Sequence, residues 1–353
     1  MRDVALVHPG DLATRTGGYV YDRRAFAALA GRGWRVRLVG LPDRFPFPDE
    51  AALTAADGAL AGLPDGTATV VDGLALGAMP AVAARHRDRL RLVALVHHPL
   101  CLETGLEPAD AARLGASERQ ALAACRRVIA TSPATAGALV ADFGVARERL
   151  TVAVPGTDPA PLAAAAGDPP RLLCVGTLTP RKGHRLLLEA LASLRGLGWR
   201  LVLAGSADRD PATAAAVRAA VGDLGLADRV TLAGELDAAG LDAAYAAADL
   251  LVSASFHEGY GMALAEGLAR GLPIVAAAGG AVADTVPPDA GLLVPPGDAA
   301  ALGEALRRVL TDPGLRARLR AGAAAARDRL PRWEDTAAAI EGALAALGGD
   351  AAL

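Results

Sequence analysis

Short apolar runs alternate with Ala-, Leu- and Arg-rich stretches along the chain. In the first half the runs are DVALVHP, WRVRLVGL, TATVVDG, RLVALVHH, RVIATS and LTVAVPG. Consecutive residues are apolar in each, so both faces of a strand are expected to be buried, as in a parallel sheet. Stretches such as YDRRAFAALAGRG (21–33) and ASERQALAACRR (116–127) separate them with a helical pattern. This alternation predicts a parallel sheet with helices on both sides. PGTDPAPLAAAAGDPP (155–170), rich in Pro, Gly and Asp, reads as a linker. The pattern then restarts with RLLCVGTL, WRLVLAGS, RVTLAGEL, DLLVSASF, LPIVAAA and GLLVPP. The predicted fold is α/β, with two doubly wound, Rossmann-like domains facing a central cleft. Their expected bounds are 1–160 and 161–330. The tail from 298 to 347 reads as helical and is interrupted at LPRW (330–333), where Pro331 lets the last helix change direction. That helix, spanning about 331–353, is expected to pack back on the first domain.

Composition narrows the class. The chain has 353 residues and is 52% hydrophobic, enough for two cores. A net charge of −3 and an aromatic content of 3% argue against nucleic acid as a partner. Cys101, Cys125 and Cys174 are scattered, without a CxxC pair, and read as reduced thiols of a cytoplasmic protein. MRDVALVHPG is too short an apolar run for a signal peptide, and no segment is apolar enough to span a membrane. The arginines within 85–91 and 113–127 leave peripheral contact with an acidic inner membrane face open, although interspersed acids favour a solvated surface.

In doubly wound sheets ligands sit beyond the C-terminal ends of the strands. Four loops there carry candidate chemistry. The first is HEGYGMALAE (257–266), with Glu258 and Glu266 eight positions apart. The helix is expected to begin near Met262 and stop at Gly271. Its first amides carry partial positive charge that can hold a phosphate, and Gly261 permits close approach. Carboxylates match vicinal sugar hydroxyls as acceptors. The same spacing also suits acids that merely complement a helix start. The second is the turn TPRKG, where Arg181 and Lys182 can neutralise a diphosphate or simply face water. Lys182 is the chain's only lysine. The third, HPGDLATRTGGYVYDRR (8–24), places Gly17 and Gly18 before a helix, as a phosphate or sugar approach or as a flexible turn. The fourth ends VALVHHPL, with His97 and His98 at a strand end; His8 and His257 are lesser candidates. The D-x-D in SADRDPAT reads as a helix start, with Asp210 as N-cap before Pro211. No metal site is expected, and the absence of G-x-G-x-x-G disfavours a dinucleotide.

The E-x7-E acids with a G-Y-G turn, the continuation AEGLARGLPIVAAAGGAVADTV and GLLVPPGD (291–298) together resemble retaining glycosyltransferases of GT-B fold, family 4. The resemblance covers nearly the whole chain. It implies transfer of a hexosyl-type sugar from a nucleoside-diphosphate sugar to an acceptor hydroxyl, with retention and without metal or other cofactor. It implies that Glu258 contacts the transferred sugar, Glu266 the ribose, and Tyr260, Gly261 and Met262 the sugar and phosphates. Lys182 corresponds to the phosphate-binding lysine, and His97 to a histidine facing the transferred sugar. The loop holding Gly17 and Gly18 corresponds to a glycine-rich donor loop. One departure is Thr177, where the family often has an arginine; Arg181 is the candidate replacement. The acceptor, whether lipid, glycan or small molecule, is not encoded in these motifs. A sugar-nucleotide epimerase, a glycoside phosphorylase or a silent partner subunit of a glycosyltransferase remain alternatives on the same fold.

Overall fold

The structure, a computed structural model, describes residues 2–348. The chain divides into two compact units, residues 2–156 with 331–348, and residues 157–330. Each holds one six-stranded, all-parallel sheet.

The first sheet contains β1 (Arg2–Pro9), β2 (Trp34–Leu41), β3 (Ala68–Asp72), β4 (Arg91–Val96), β5 (Arg127–Ala130) and β6 (Leu150–Val152), in the order β2-β1-β3-β4-β5-β6. Strands β1, β3 and β4 are central, and their apolar runs bury both faces. Strand β2 lies at an edge and departs from the expected two-sided burial: Leu38 is 58% exposed. An edge strand has only one strand neighbour, so its outward residues reach water.

Two helices differ in extent from the sequence reading. The helix read from Tyr21 begins at Gly17 and ends at Gly31. The helix read over 116–127 spans Pro108–Ala123, and Arg127 already belongs to β5. Proline at the first position explains the earlier start. The described part of the last helix, Trp333–Ala345, packs on helix Gly17–Gly31 within the first unit. Trp333 is buried beside the Tyr21 ring, 6.1 Å away, and Thr336 donates to the Val154 carbonyl at 2.7 Å. Glu341 accepts from Trp34 Nε1 and pairs with Arg2 and Arg32. The last five residues of the expected helix, 349–353, lie outside the described residues.

The second sheet contains β7 (Arg171–Val175), β8 (Arg200–Ala204), β9 (Val230–Gly234), β10 (Leu250–Ser253), β11 (Ile274–Ala277) and β12 (Gly291–Val294), in the order β12-β11-β10-β7-β8-β9. Its core is built from buried side chains such as Leu187, Trp199, Leu201 and Leu306. The stretch 155–170 has no regular structure, yet much of it is held to the second unit. Ala163 donates to the Arg270 carbonyl, and buried Asp249 accepts from Gly167 and Arg171 amides at 3.0 and 2.7 Å. The tail also breaks earlier than expected. Helices Ala299–Thr311 and Pro313–Ala326 are separated by Asp312, whose side chain caps the second through the Leu315 amide at 2.8 Å. Proline after an N-cap starts a new helix, because its missing N–H needs no partner there. Among the described residues no helix is long and apolar enough to cross a membrane.

Candidate active site

In the second sheet the chain runs outward from β7 through β8 and β9, then returns to the other side of β7 as β10. This reversal opens a crevice between the loops that follow β7 and β10. Those loops carry Arg181, Lys182 and Glu258. The first makes a single turn, Pro180–Lys182, and closes on Gly183 with φ +62°. A Cβ at Gly183 would lie 2.2 Å from the Ala254 carbonyl oxygen, so only glycine lets the two loops meet. The Phe256 amide donates to the Arg181 carbonyl at 2.8 Å and ties them further. The Lys182 stem passes over Gly176, where a Cβ would approach its methylenes to 3.2 Å.

This packing brings the two cations onto one carboxylate. Lys182 Nζ donates to Glu258 Oε1 at 2.6 Å, and Arg181 Nη1 lies 3.4 Å from Glu258 Oε2. Arg181 Nη1 also donates to the His257 carbonyl at 2.6 Å. The Glu258 side chain is only 12% exposed. Burial opposes its charge, but the Lys182 and Arg181 charges outweigh burial and bring its pKa down to about 2. A depressed carboxylate stabilises the fold above its unfolded pKa, and that stability is lost as pH falls toward the folded value. Between pH 4.5 and 2 the native protein is therefore expected to lose on the order of 3 kcal/mol through this group. Urea midpoints of wild type and Glu258→Gln across that range check this: the variant's acid limb is expected to be shallower.

The backbone of Glu258 sits on a glycine pair. Its amide donates to the Gly279 carbonyl at 3.2 Å, and its carbonyl accepts from the Ala281 amide at 2.8 Å. A Cβ at Gly280, where φ is +63°, would lie 2.3 Å from the Glu258 carbonyl oxygen. Gly280→Ala is therefore expected to lower stability by about 2–4 kcal/mol, from backbone strain and the clash together. Gly137→Ala, in helix Pro133–Phe143 with open space around it, is the control and is expected to be neutral or slightly stabilising. Thermal melts of the two variants distinguish them.

After Glu258 the chain reaches Gly261, with φ +94°, and enters helix Met262–Ala269. The left-handed entry points the first helical amides, which lack intrahelical acceptors, toward the loop end. The carbonyl of Tyr260 is fixed by the Thr285 hydroxyl at 2.5 Å. Glu266, one turn into the helix, is held by a residue that sequence reading did not single out. The buried Tyr245 hydroxyl lies 2.8 Å from Glu266 Oε2 and 2.9 Å from the Ala263 carbonyl oxygen. Arg270 stacks over the Tyr245 ring and pairs with Asp242. Burial raises the Glu266 pKa despite Tyr245 and Arg270.

The remaining candidates lie in the first unit. Gly17 and Gly18 do not precede a helix, as expected, but open it. Gly18 lies beside the His97 ring, where an added Cβ would sit 3.4 Å away. His97 follows β4, and its Nε2 is 3.2 Å from Asp22 Oδ1. His98 faces Glu103 instead, at 3.3 Å. Asp210 caps helix Pro211–Asp223 through the Thr213 amide, as its sequence context predicts. The structure thus gathers Arg181, Lys182 and Glu258 at one point of the second unit, with the helix carrying Glu266 following directly, while Gly18 and His97 meet in the first.

The family description Glycosyl transferases group 1 matches residues 163–326, and Glycosyltransferase Family 4 matches residues 70–161. The chain is 34% identical, over 241 residues, to a D-inositol 3-phosphate glycosyltransferase of Xylanimonas cellulosilytica, a match covering 63% of this chain and 57% of that protein. Among solved structures, a sucrose-phosphate synthase from Thermosynechococcus elongatus superposes with TM-score 0.84 and 25% identity, covering 99% of this chain and all of that one. This chain has the GT-B fold, and its sequence is family 4-like. The Anabaena protein HepE, solved with UDP and glucose, shares the GT-B fold at TM-score 0.75 and 17% identity, over 97% of this chain and 99% of that one. The chain spans somewhat more than half the length of the curated relatives it matches.

Within this GT-B frame, the group 1 match contains Lys182, Glu258 and Glu266, and the family 4 match contains His97 but not Gly17 or Gly18. Tyr245 and the Gly279–Gly280 seat had visible but unspecific signals: a lone aromatic in an alanine-rich helix, and a glycine pair after a buried strand. Asp22 and Asp72, which surround His97, were missed entirely.

Proposed function

We propose that this chain transfers a hexosyl-type sugar from a nucleoside-diphosphate sugar to an acceptor hydroxyl, with retention of configuration and no metal. The observation that carries this reading is the Lys182–Glu258 contact at 2.6 Å, set between a cationic turn and a glycine-initiated helix start. A diphosphate needs fixed positive charge as its bond to the sugar breaks, and the paired carboxylate needs hydroxyl donors once the lysine is drawn to phosphate. Lys182, Arg181 and the amides at Gly261 and Met262 supply the charge. Glu258 orients the hydroxyls of the transferred sugar. Glu266, already held by Tyr245, accepts from the ribose. Arg181 fills the place of the arginine absent at Thr177, since its guanidinium already reaches the same carboxylate as Lys182. His97 donates to a carbohydrate oxygen.

In the reaction the anomeric C–O bond to phosphate breaks and the anomeric carbon bonds to the acceptor oxygen on the same face. The acceptor proton passes to an oxygen of the departing diphosphate. No protein group becomes covalently attached, so the protein contributes chiefly charge stabilisation and positioning. The names of the relatives support a sugar transferase, and the UDP and glucose bound by HepE support a nucleotide-linked donor. Because one relative acts on D-inositol 3-phosphate by name, inositol phosphates head the acceptor screen.

The test is incubation with a panel of nucleoside-diphosphate sugars and polyol, sugar and lipid acceptors, followed by NMR of the product. Acceptor-dependent release of nucleoside diphosphate, with an α-linked product from an α-linked donor, is expected. Inverted product contradicts the retaining reading. Conversion without acceptor, or dependence on free phosphate, replaces transfer with an epimerase or phosphorylase.

A further inference from the structure

The first sheet has its own point of reversal, between β1 and β3. Three ionisable side chains from different elements converge there. Asp22 comes from helix Gly17–Gly31, Asp72 ends β3, and His97 follows β4. Their oxygen and nitrogen atoms lie within 4.8 Å of one another. Asp22 is 0% exposed and Asp72 2%, while a fifth of the His97 side chain is accessible. Asp22 Oδ1 meets His97 Nε2 at 3.2 Å, but Asp22 Oδ2, though buried, has no N–H or O–H partner. Asp72 Oδ1 accepts from the Leu74 amide at 2.7 Å.

Two buried carboxylates this close do not readily both ionise, because each charge raises the cost of the other in a low-dielectric interior. The unpartnered Asp22 oxygen is the natural acceptor for a proton on Asp72. We propose that Asp22 and Asp72 share one proton and together act as positioning residues that fix His97 as an imidazolium. The Nε2–H is then committed to Asp22, and Nδ1–H, across the ring, is left to donate to an oxygen of the bound carbohydrate. This deepens the proposed function and rests on it for the carbohydrate.

The charge count supports the assignment. One negative charge on the pair and one positive charge on the ring leave the buried triad without net charge, and the direct Asp22–His97 contact offsets the cost of burying the two ions. Any state with both carboxylates ionised carries a net buried charge. The directions of titration agree. Burial, reinforced by the Asp22 charge, moves the Asp72 pKa up to about 7. Burial works against a charged His97 ring, but the Asp22 hydrogen bond and the charges of Asp22 and Asp72 raise its pKa above the ordinary value. Tyr21, also titratable, packs edge-on to the ring at 5.2 Å and is neutral, because burial raises its pKa well above the ordinary value and its hydroxyl donates to the Ala153 carbonyl at 2.8 Å. The Thr131 hydroxyl donates to the His97 carbonyl at 3.1 Å and holds the backbone that carries the ring.

The test is a pH titration of 15N-histidine-labelled full-length protein, without substrate, with the His97 signal assigned by His97→Gln. Wild-type His97 is expected to remain an imidazolium through pH 7. Asp22→Asn is expected to drop its pKa by at least about one unit, because burial is then unopposed at Nε2. Asp72→Asn, whose amide mimics a protonated acid, is expected to leave the ring charged. In turnover assays Asp22→Asn is expected to lose about tenfold or more in kcat/KM above pH 7, with the alkaline limb moved to lower pH. A neutral His97 ring in wild type between pH 6 and 7 overturns the proposal, and this reading stands even if a variant fails to fold. So does an unmoved titration in Asp22→Asn. A His97 signal and melting temperature that respond to Mn2+ or Zn2+ overturn it in favour of a metal site. An imidazolium in a protein that turns over no nucleotide sugar would leave this inference standing and sink the proposed function.

Discussion

Lys182→Ala is expected to lower sugar transfer by about 10²–10³-fold while leaving the protein folded, the size seen when a preorganised charge-stabilising donor is removed. The lysine's stem lies on Gly176 and its ammonium group on Glu258, so the variant removes one cation and little packing. Glu258 does not become an orphan, because Arg181 stays 3.4 Å away. The loss therefore falls on the departing diphosphate, whose developing charge the lysine neutralises, and it appears in kcat more than in donor KM. Steady-state release of nucleoside diphosphate, with circular dichroism to verify folding, measures it. Activity within threefold of wild type would remove Lys182 from the mechanism.

Glu258→Gln is expected to behave differently, and the difference is informative. Glutamine keeps the shape but loses the charge that now occupies Lys182 and Arg181. Lys182 and Arg181, both half-buried, lose the counter-ion they share, which lowers stability. They are also released for phosphate, so a nucleoside diphosphate is expected to bind at least as tightly as to wild type. Turnover is nevertheless expected to fall by about 10²-fold or more, because the carboxylate that accepts from the transferred sugar is gone and the sugar is misplaced. Calorimetry with the diphosphate and kinetics with the donor read the two effects separately. Weakened diphosphate binding with unchanged kcat would show that Glu258 is an ordinary structural ion pair.

How much of this was legible in the sequence depended on which contacts are local. All twelve strands were visible: the central ones, buried on two faces, leave uninterrupted apolar runs, and the edge strands keep enough apolar residues to be seen although part of each reaches water. Helix ends were harder to place. Alanine and arginine stretches have no sharp edge, so the starts at Gly17 and Pro108 lay upstream of the periodic residues. The break at Asp312–Pro313 carried the same signal as Asp210–Pro211, an acid followed by proline, and was hidden by the apolar pattern on either side. In the site, Lys182 and Glu258 stood out because each lies in a compact motif after a strand. The interactions that hold the site cross long stretches of chain. Tyr245 reaches Glu266 across 21 positions, and Asp22 reaches His97 across 75. No spacing rule connects such pairs, since only the folded sheet places strand ends side by side. The role of Gly183 and Gly280 was likewise unreadable, because a glycine's value there is the backbone it lets in.

The central claim is that Lys182, Arg181 and the helix start at Gly261 hold the diphosphate of a nucleotide-linked sugar. Isothermal titration of wild type and Lys182→Ala with UDP-, GDP-, ADP- and dTDP-glucose tests it most directly. At least one nucleotide sugar is expected to bind wild type and to bind the variant about tenfold or more weakly, the cost of a lost charge-assisted contact. Binding of equal strength in both proteins, or to neither, would contradict it.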